Sequence, residues 1–307
     1  MKLVSYRLKD HNDPLRIGFV LENKVVDLQE AYLQMLSKQR RNEDLDGSIP
    51  TSPNDFYKTG NAVITKGIEA YTYVQNNPND VSYLLREEVY LSTPIPNPSK
   101  IICVGRNYVE HAAEMKSDIP DYPVLFAKFS NALIGPEDEI NKTPATDKLD
   151  YEVELTVVIG KEASNVPKED AFDFIAGYTI GNDITARDLQ KRTPQWLQGK
   201  TLDRSTPIGP WVVTADEIED PGSLVIKSYV NGEERQSSNT EKFIFDIPYL
   251  IAFISNLITL NPGDIIMTGT PDGVAFGMES PKFLQAGDLV TLEIEKIGRM
   301  ENRVGDS

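Results

Sequence analysis

The architecture turns on Asp150-Tyr151-Glu152-Val153-Glu154-Leu155-Thr156-Val157-Val158-Ile159-Gly160. Apolar residues at 153, 155, 157 and 159 give the period of a strand, whose side chains point to opposite faces in turn. Glu152 and Glu154 then share the other face, about 7 Å apart along the chain. Two carboxylates held side by side repel each other, and burying them costs several kcal/mol per charge unless something positive lies between them. One reading is the wet face of an amphipathic strand and the other is a divalent cation; spacing alone leaves both open.

Downstream, Pro167 suits a first helical position, Glu169 and Asp170 suit a first turn and Gly177 suits the end. A short helix over 167–177 is therefore expected, followed by a β-rich run over 178–185 that carries Asp183. Three carboxylates with no His or Cys nearby describe a hard, oxygen-ligand site, suited to one Mg²⁺ or Mn²⁺ rather than Zn²⁺.

Upstream, residues 100–104 form a buried-strand candidate, and Gly105-Arg106-Asn107-Tyr108 turns the chain into a helical stretch with His111 and Glu114. Positions three apart share a helix face, so the carboxylate can orient one ring nitrogen and leave the other to act on water. An exposed helix face is the alternative, although the chain has only 2 histidines. His11, the other one, lies in a polar turn and is expected to be solvated. Residues 116–123 read as a loop. In 124–129, Phe126 and Lys128 share a face, where a lysine either reaches outward or meets an anion. Residues 186–192 read as a short helix carrying Arg187 and Gln190, and 198–210 as a loop holding Lys200.

At 307 residues the chain is long enough for two domains. Lys and Arg number 31 against 47 Asp and Glu, a net charge of −16 that opposes nucleic acid and anionic lipid. An anionic substrate must be met by a local cluster of cations. Cys103 is the single cysteine, which precludes an internal disulfide and suggests a reducing, cytoplasmic setting; its apolar surroundings point to buried packing. The first residues alternate apolar and charged, so no secretory leader is expected, and no apolar run is long enough to span a membrane.

Residues 3–8, 16–21 and 24–28 read as strands, with helical periodicity through Leu28, Ala31, Tyr32 and Met35. Residues 40–53 read as a loop and 63–74 as a helix. Three prolines at 94, 96 and 98 favour an extended linker. The expected division is a small N-terminal α/β domain, 1–93, and a larger β-rich domain, 94–307. In the latter, 211–214 and 224–230 read as strands, Asn231-Gly232 as a hairpin turn and 247–260 as an apolar helix. A further strand over 264–268 leads to Gly269-Thr270-Pro271-Asp272-Gly273-Val274, a turn whose N–H groups can hold a carboxylate, and 289–294 reads as the last strand.

Five motifs carry a family resemblance: Asn107-Tyr108-x-x-His111-x-x-Glu114, Asp150-Tyr151-Glu152-x-Glu154, Gly177-Tyr178-x-x-x-Asn182-Asp183-x-x-x-Arg187-Asp188, Gly199-Lys200-x-x-Asp203 and Gly269-Thr270-Pro271-x-Gly273-Val274. In this order, over roughly residues 95–300, they resemble the fumarylacetoacetate hydrolase superfamily, in its longer bacterial branch with a small leading domain. The resemblance implies an α+β, β-rich mixed β-sandwich roll, usually a homodimer. It implies Mg²⁺ or Mn²⁺ at Glu152, Glu154 and Asp183, and a catalytic His111–Glu114 pair with Glu114 on a lid. Lys128, Gln190, Lys200 and Thr270 match positions that hold the carboxylate and oxo groups of a small 2-oxo acid, Lys128 being counted with the catalytic pair. Arg106 and Tyr108 are counted as substrate-binding. The implied reactions are carbon–carbon cleavage of 2-oxo or 2,4-dioxo acids, as in oxaloacetate decarboxylation and acylpyruvate or fumarylpyruvate hydrolysis, or isomerisation of an unsaturated seven-carbon diacid. All of them pass through an enolate that a hard metal ion stabilises. A non-catalytic binding or scaffolding protein on the same fold is the alternative from another class.

Overall fold

Val153–Ile159 is a strand buried along its whole length, and it lies inside a 12-stranded sheet in a computed structural model that describes residues 1–39 and 48–306. On one side it pairs antiparallel with Ile175–Asn182, Val153 opposite Asn182. On the other it pairs with Ile265–Met267, which runs parallel to Ile101–Gly105, and Val124–Lys128 forms that edge. Beyond Ile175–Asn182 come Thr206–Thr214, Lys2–Leu8, Arg16–Leu21, Lys24–Asp27 and Leu84–Leu85. A second sheet of 5 strands runs Glu233–Asn239, Val225–Val230, Leu289–Ile294, Gly298–Asp306 and Ile140–Lys142.

The alternation along Val153–Ile159 explains how these layers pack. Val153, Leu155, Val157 and Ile159 meet Ile226, Val290, Leu292 and Ile294 of the second sheet. Val158 faces the opposite way, into a core shared with Ile265, Met267 and Cys103 and with Leu28, Ala31, Tyr32, Val63 and Ile64 of two N-terminal helices, Leu28–Lys38 and Asn61–Asn76. Full burial of each such aliphatic side chain is worth roughly 1.5–3 kcal/mol. This strand therefore has no wet face. The result is the strand-rich α+β sandwich expected, and Cys103 is buried and unpaired by disulfide.

The leading strands are hydrogen-bonded into the same sheet: Lys2 lies opposite Val213 and Leu3 opposite Val212. The sheet is thus continuous across the boundary expected at residues 93 and 94. Helix Leu28–Lys38 begins where Asp27 accepts the Glu30 N–H at 3.0 Å. The expected loop over 40–53 lies outside the described residues from 40 to 47. Its last residue, Pro53, instead opens the helix Pro53–Thr59 behind Ser52 as N-cap, a position suited to a residue with no N–H.

Three further elements differ from the sequence reading. Lys168–Phe174 is a 3-10 turn, and Gly177 lies within a strand opposite Val158. A Cβ there would meet the Val213 carbonyl oxygen at 2.2 Å, so the glycine allows close strand approach rather than ending a helix. Lys200 ends a short helix, Leu197–Lys200, which packs closely because a Cβ on Gly199 would meet Gln190 N at 2.5 Å. Leu289–Ile294 is followed by one more strand, Gly298–Asp306, whose buried positions include Asn302 and whose exposed ones include Arg299 and Glu301, too polar a pattern to read as a strand.

Candidate metal centre and active site

Glu154 lies on the same strand face as Thr156 and Val158 but further along, where the helical core gives way to a cavity of about 390 Å³. Glu152 precedes the strand, and Asp183 follows Asn182 at the end of the neighbouring one. The register that sets Val153 opposite Asn182 brings the three acids together. Asp183 donates its N–H to Glu152 O at 2.9 Å, and Glu152 donates its own to Asn182 Oδ1 at 3.0 Å. One carboxylate oxygen from each of Glu152, Glu154 and Asp183 lies within 4.8 Å of the others. The residues are 4, 1 and 0% exposed, which removes the wet-face reading.

Cations surround two of the three. Lys200 Nζ lies 2.7 Å from Glu152 Oε2 and 2.6 Å from Asp183 Oδ2. Lys128 Nζ lies 2.6 Å from Asp183 Oδ1 and donates to Ile184 O at 3.2 Å. Arg187 spans Glu152 Oε1 at 2.7 Å and Asp150 Oδ2 at 2.8 Å. Burial pushes the Glu152 carboxyl up, but Lys200 and then Arg187 more than offset this and hold it at about 2. Burial lowers the Lys200 ammonium, while Asp183 and Glu152 outweigh that and raise it.

Glu154 is different. It accepts the Gly269 N–H at 2.9 Å, and no cationic side chain among the described residues pairs with it. Burial, then Asp183 and Glu152, push it well above the usual carboxylate range. A buried carboxylate facing two others and lacking a counter-charge is the condition that a divalent cation relieves. The donor set is all oxygen, as Mg²⁺ and Mn²⁺ prefer.

His111 lines the same cavity from the helix Val109–Glu114. Its Nδ1 lies 3.1 Å from Glu114 Oε2, and Glu114 Oε1 accepts the Gly273 N–H at 3.0 Å. With Nδ1–H given to Glu114, Nε2 is left to exchange a proton. The turn 269–274 thus holds carboxylates as its glycines suggest, and both are the chain's own. A Cβ on Gly277 would lie 2.2 Å from Glu114 Cδ, so this glycine makes room for the carboxylate.

The structure sorts the remaining expected residues by position. Arg106, Gln190, Lys200 and Thr270 are in the cavity wall; Lys128 is not, and it lies against Asp183. Arg106 adopts φ +58°, a left-handed conformation that costs a non-glycine residue roughly 1–2 kcal/mol. The Tyr108 side chain is buried and outside the wall, its hydroxyl finds no hydrogen-bond partner among the described residues, and burial, then Glu154, push it well up.

Three residues without an assigned role in the sequence reading hold the site together. Asp150 accepts the N–H groups of Ala275 and Phe276 at 2.8 and 3.0 Å as well as the Arg187 guanidinium. Asp150 and Arg187 stood inside quoted motifs, which was signal enough to mark them. Gln236, on the second sheet, accepts the Val153 N–H at 3.1 Å and donates to Thr270 Oγ1 at 2.8 Å. Nothing in its polar hairpin marks it.

The chain is similar to known proteins along most of its length. A family model described as fumarylacetoacetate (FAA) hydrolase C-terminal matches residues 100–305. The chain is 43% identical over 315 residues to a fumarylacetoacetate hydrolase domain-containing protein 2 homolog of Dictyostelium discoideum, covering 99% of this chain and 97% of that one. It is 42% identical over 298 residues to an oxaloacetate tautomerase of Bacillus subtilis, covering 94% and 96%. Among solved structures, it is similar to maleylpyruvate hydrolase from Sphingobium sp. SYK-6 in complex with manganese (II) ion and pyruvate, with TM-score 0.75, 28% identity and 100% of each chain covered.

Proposed function

The chain belongs to the fumarylacetoacetate hydrolase family, and on that premise we propose that it is a divalent-metal-dependent enzyme interconverting the keto and enol forms of a small 2-oxo acid of the oxaloacetate type. The observation that carries the reading is His111, held by Glu114 at 3.1 Å, in the wall of the cavity that Glu152, Glu154 and Asp183 also line. A divalent ion at those three carboxylates supplies the Lewis acidity that favours an enolate. Toward the enol, His111 Nε2 takes a proton from C3 and delivers one to the 2-oxo oxygen; toward the keto form it takes the hydroxyl proton and delivers one to C3, so no proton is gained or lost overall and no carbon–carbon bond breaks. Glu114 fixes the imidazole's tautomer and stabilises its charged form. Gln190 and Thr270 offer hydrogen bonds to the acid's oxygens, and Phe126 and Trp196 exclude water from one wall. The Bacillus relative's name supports the choice of substrate.

Cleavage is the second reading, favoured by the likeness to a maleylpyruvate hydrolase and by a cavity of about 390 Å³, large enough for a longer acyl chain. In hydrolysis of a 2,4-dioxo acid, His111 would activate water against C4; in decarboxylation, carbon dioxide would leave and His111 would protonate C3. Following oxaloacetate in D₂O by NMR with Mn²⁺-loaded protein separates these outcomes. Accelerated enol loss and C3 exchange without pyruvate supports the tautomerase. Pyruvate formed at the same rate transfers the assignment to cleavage, and no acceleration over Mn²⁺ alone overturns an enzymatic role.

A further inference from the structure

We infer that Gln236 is a positioning residue: it turns the hydrogen of the Thr270 hydroxyl away from the protein, so that the threonine donates to an oxygen held in the cavity. That this oxygen belongs to a 2-oxo acid rests on the reading above; the direction of the hydroxyl does not.

The partners of the Gln236 amide fix its orientation. A glutamine has an accepting oxygen and a nitrogen with two hydrogens, and the surrounding groups decide which end lies where. Gln236 Oε1 lies 3.1 Å from Val153 N, which only donates, and Nε2 lies 2.9 Å from Pro271 O, which only accepts. Turned over, the amide would set donor against donor and acceptor against acceptor. Ser228 Oγ donates a second bond to Oε1 at 2.9 Å, and the second hydrogen on Nε2 goes to Thr270 Oγ1 at 2.8 Å. Gln236, Ser228 and Thr270 are all buried. Thr270 Oγ1 therefore accepts from Gln236, and its own single hydrogen must point elsewhere. No acceptor among the described residues takes that hydrogen, and Thr270 lines the cavity.

The backbone explains how an amide of the second sheet comes to this place. Ser228 lies opposite Gln236 and Tyr229 opposite Glu234, so Arg235 is the extra residue of a bulge, a device that re-aims side chains. Gly273 makes room for it, because a Cβ there would meet Arg235 O at 2.1 Å. On the first sheet, Ile265–Met267 pairs with the acidic strand only from Thr156 onward, and Thr268 then donates its N–H to Leu155 O at 3.1 Å. Two residues earlier on the same edge the Val153 N–H has no strand partner, and Gln236 accepts it. One amide thus joins the residue between Glu152 and Glu154 to the threonine of the cavity wall. A loosened amide would free the Thr270 hydroxyl to turn toward Pro271 O, and the donor facing the cavity would be lost.

The test is calorimetric titration of the full-length, Mn²⁺-saturated protein with pyruvate, a 2-oxo acid whose ionised form has only accepting oxygens. Thr270→Val should weaken binding about tenfold or more, the scale of one hydrogen bond to a charged group, and Thr270→Ser should bind nearly as the wild type does. Gln236→Met, similar in length to glutamine but without the amide, should weaken binding several-fold by itself and about twofold or less when added to Thr270→Val. A residue that merely packs the sheets together would cost the same in both backgrounds. Equal losses in the two, or no loss from Gln236→Met alone, overturn the inference, as does a wild type that takes no pyruvate. Thermal unfolding checks that each variant is folded; if Gln236→Met is not, Gln236→Asn, whose amide is one methylene short of Thr270, enters the same comparison. Pyruvate binding is read apart from oxaloacetate turnover, so a protein that shows this coupling but never accelerates C3 exchange refutes the proposed activity and leaves the role of Gln236 standing.

Discussion

Lys128 Nζ lies 2.6 Å from Asp183 Oδ1, and both side chains are wholly buried. The lysine is thus a counter-charge built into the sheet edge, set against the acid that completes the metal triad. Removing the lysine leaves Asp183 with Lys200 as its one remaining counter-charge and one carboxylate oxygen bare, which costs up to about 3–5 kcal/mol, the figure for a buried charge left wholly unpaired. Lys128→Met should lose stability on that scale in urea unfolding of the metal-free protein, and Lys128→Met combined with Asp183→Asn should lose less. Equal losses in the two variants would refute the pairing.

Glu154 and Glu152 give opposite pH dependences. Glu154 is raised by burial, so the folded metal-free protein binds a proton that the unfolded chain releases near 4.5. Stability from this group therefore falls as pH rises above about 4.5, and metal binding, which expels the proton, strengthens over the same window. Glu152 is depressed to about 2 by Lys200 and Arg187 against the opposing effect of burial. Its contribution is present above about 4.5 and lost as pH falls toward 2. Thermal unfolding between pH 5 and 8 should show Mn²⁺ stabilising more as pH rises, and Glu154→Gln should flatten that trend.

His111→Ala should lower the rate of C3 proton exchange by at least ~10²-fold, the range for a general base. Mn²⁺ affinity, read by calorimetry, should change far less, because His111 is outside the triad. A variant that keeps its rate would show that the imidazole moves no proton.

Gly277→Ala tests Glu114 without touching either reacting group. The added methyl would sit 2.2 Å from Glu114 Cδ, while the Gly277 backbone itself lies outside the left-handed region. The carboxylate must leave Gly273 N–H and His111 Nδ1. Exchange should fall toward the His111→Ala rate, up to roughly 10²-fold, with its pH profile displaced. Unchanged kinetics would mean that Glu114 does not orient the imidazole.

Kinship also leads us to propose a homodimer. Light scattering at micromolar concentration should report twice the 34.3 kDa chain mass; the single mass would remove the proposal.

Much of the site was legible because its residues are local. Glu152 and Glu154 are two apart, His111 and Glu114 three apart, and the glycines of 269–274 mark their own turn. Burial was not legible from spacing, since both faces of Val153–Ile159 are covered by segments far away in the chain. Asp150 draws its N–H donors from residues 275 and 276, and Gln236 reaches Thr270 from the second sheet. Such roles depend on tertiary register, which no local pattern encodes. Gly298–Asp306 escaped for another reason: its buried face includes Asn302, whose amide donates to Gly135 O at 3.0 Å, so a polar residue does the work of an apolar one.

The pairing of Lys2 with Val213 fixes an order of events during synthesis. At about 5–20 residues per second, the strand Lys2–Leu8 emerges some 10–40 s before Thr206–Thr214 exists to receive it. Its hairpin partner Arg16–Leu21 can form at once, and Val89–Ser92 then covers Ser5 to Leu8 on the other edge, but Lys2 and Leu3 stay open on that edge, a short template for pairing with another strand. The leading strands can therefore close most of their own edge early, and the last two residues of it wait until Thr206–Thr214 joins them to the strand that ends at Asn182.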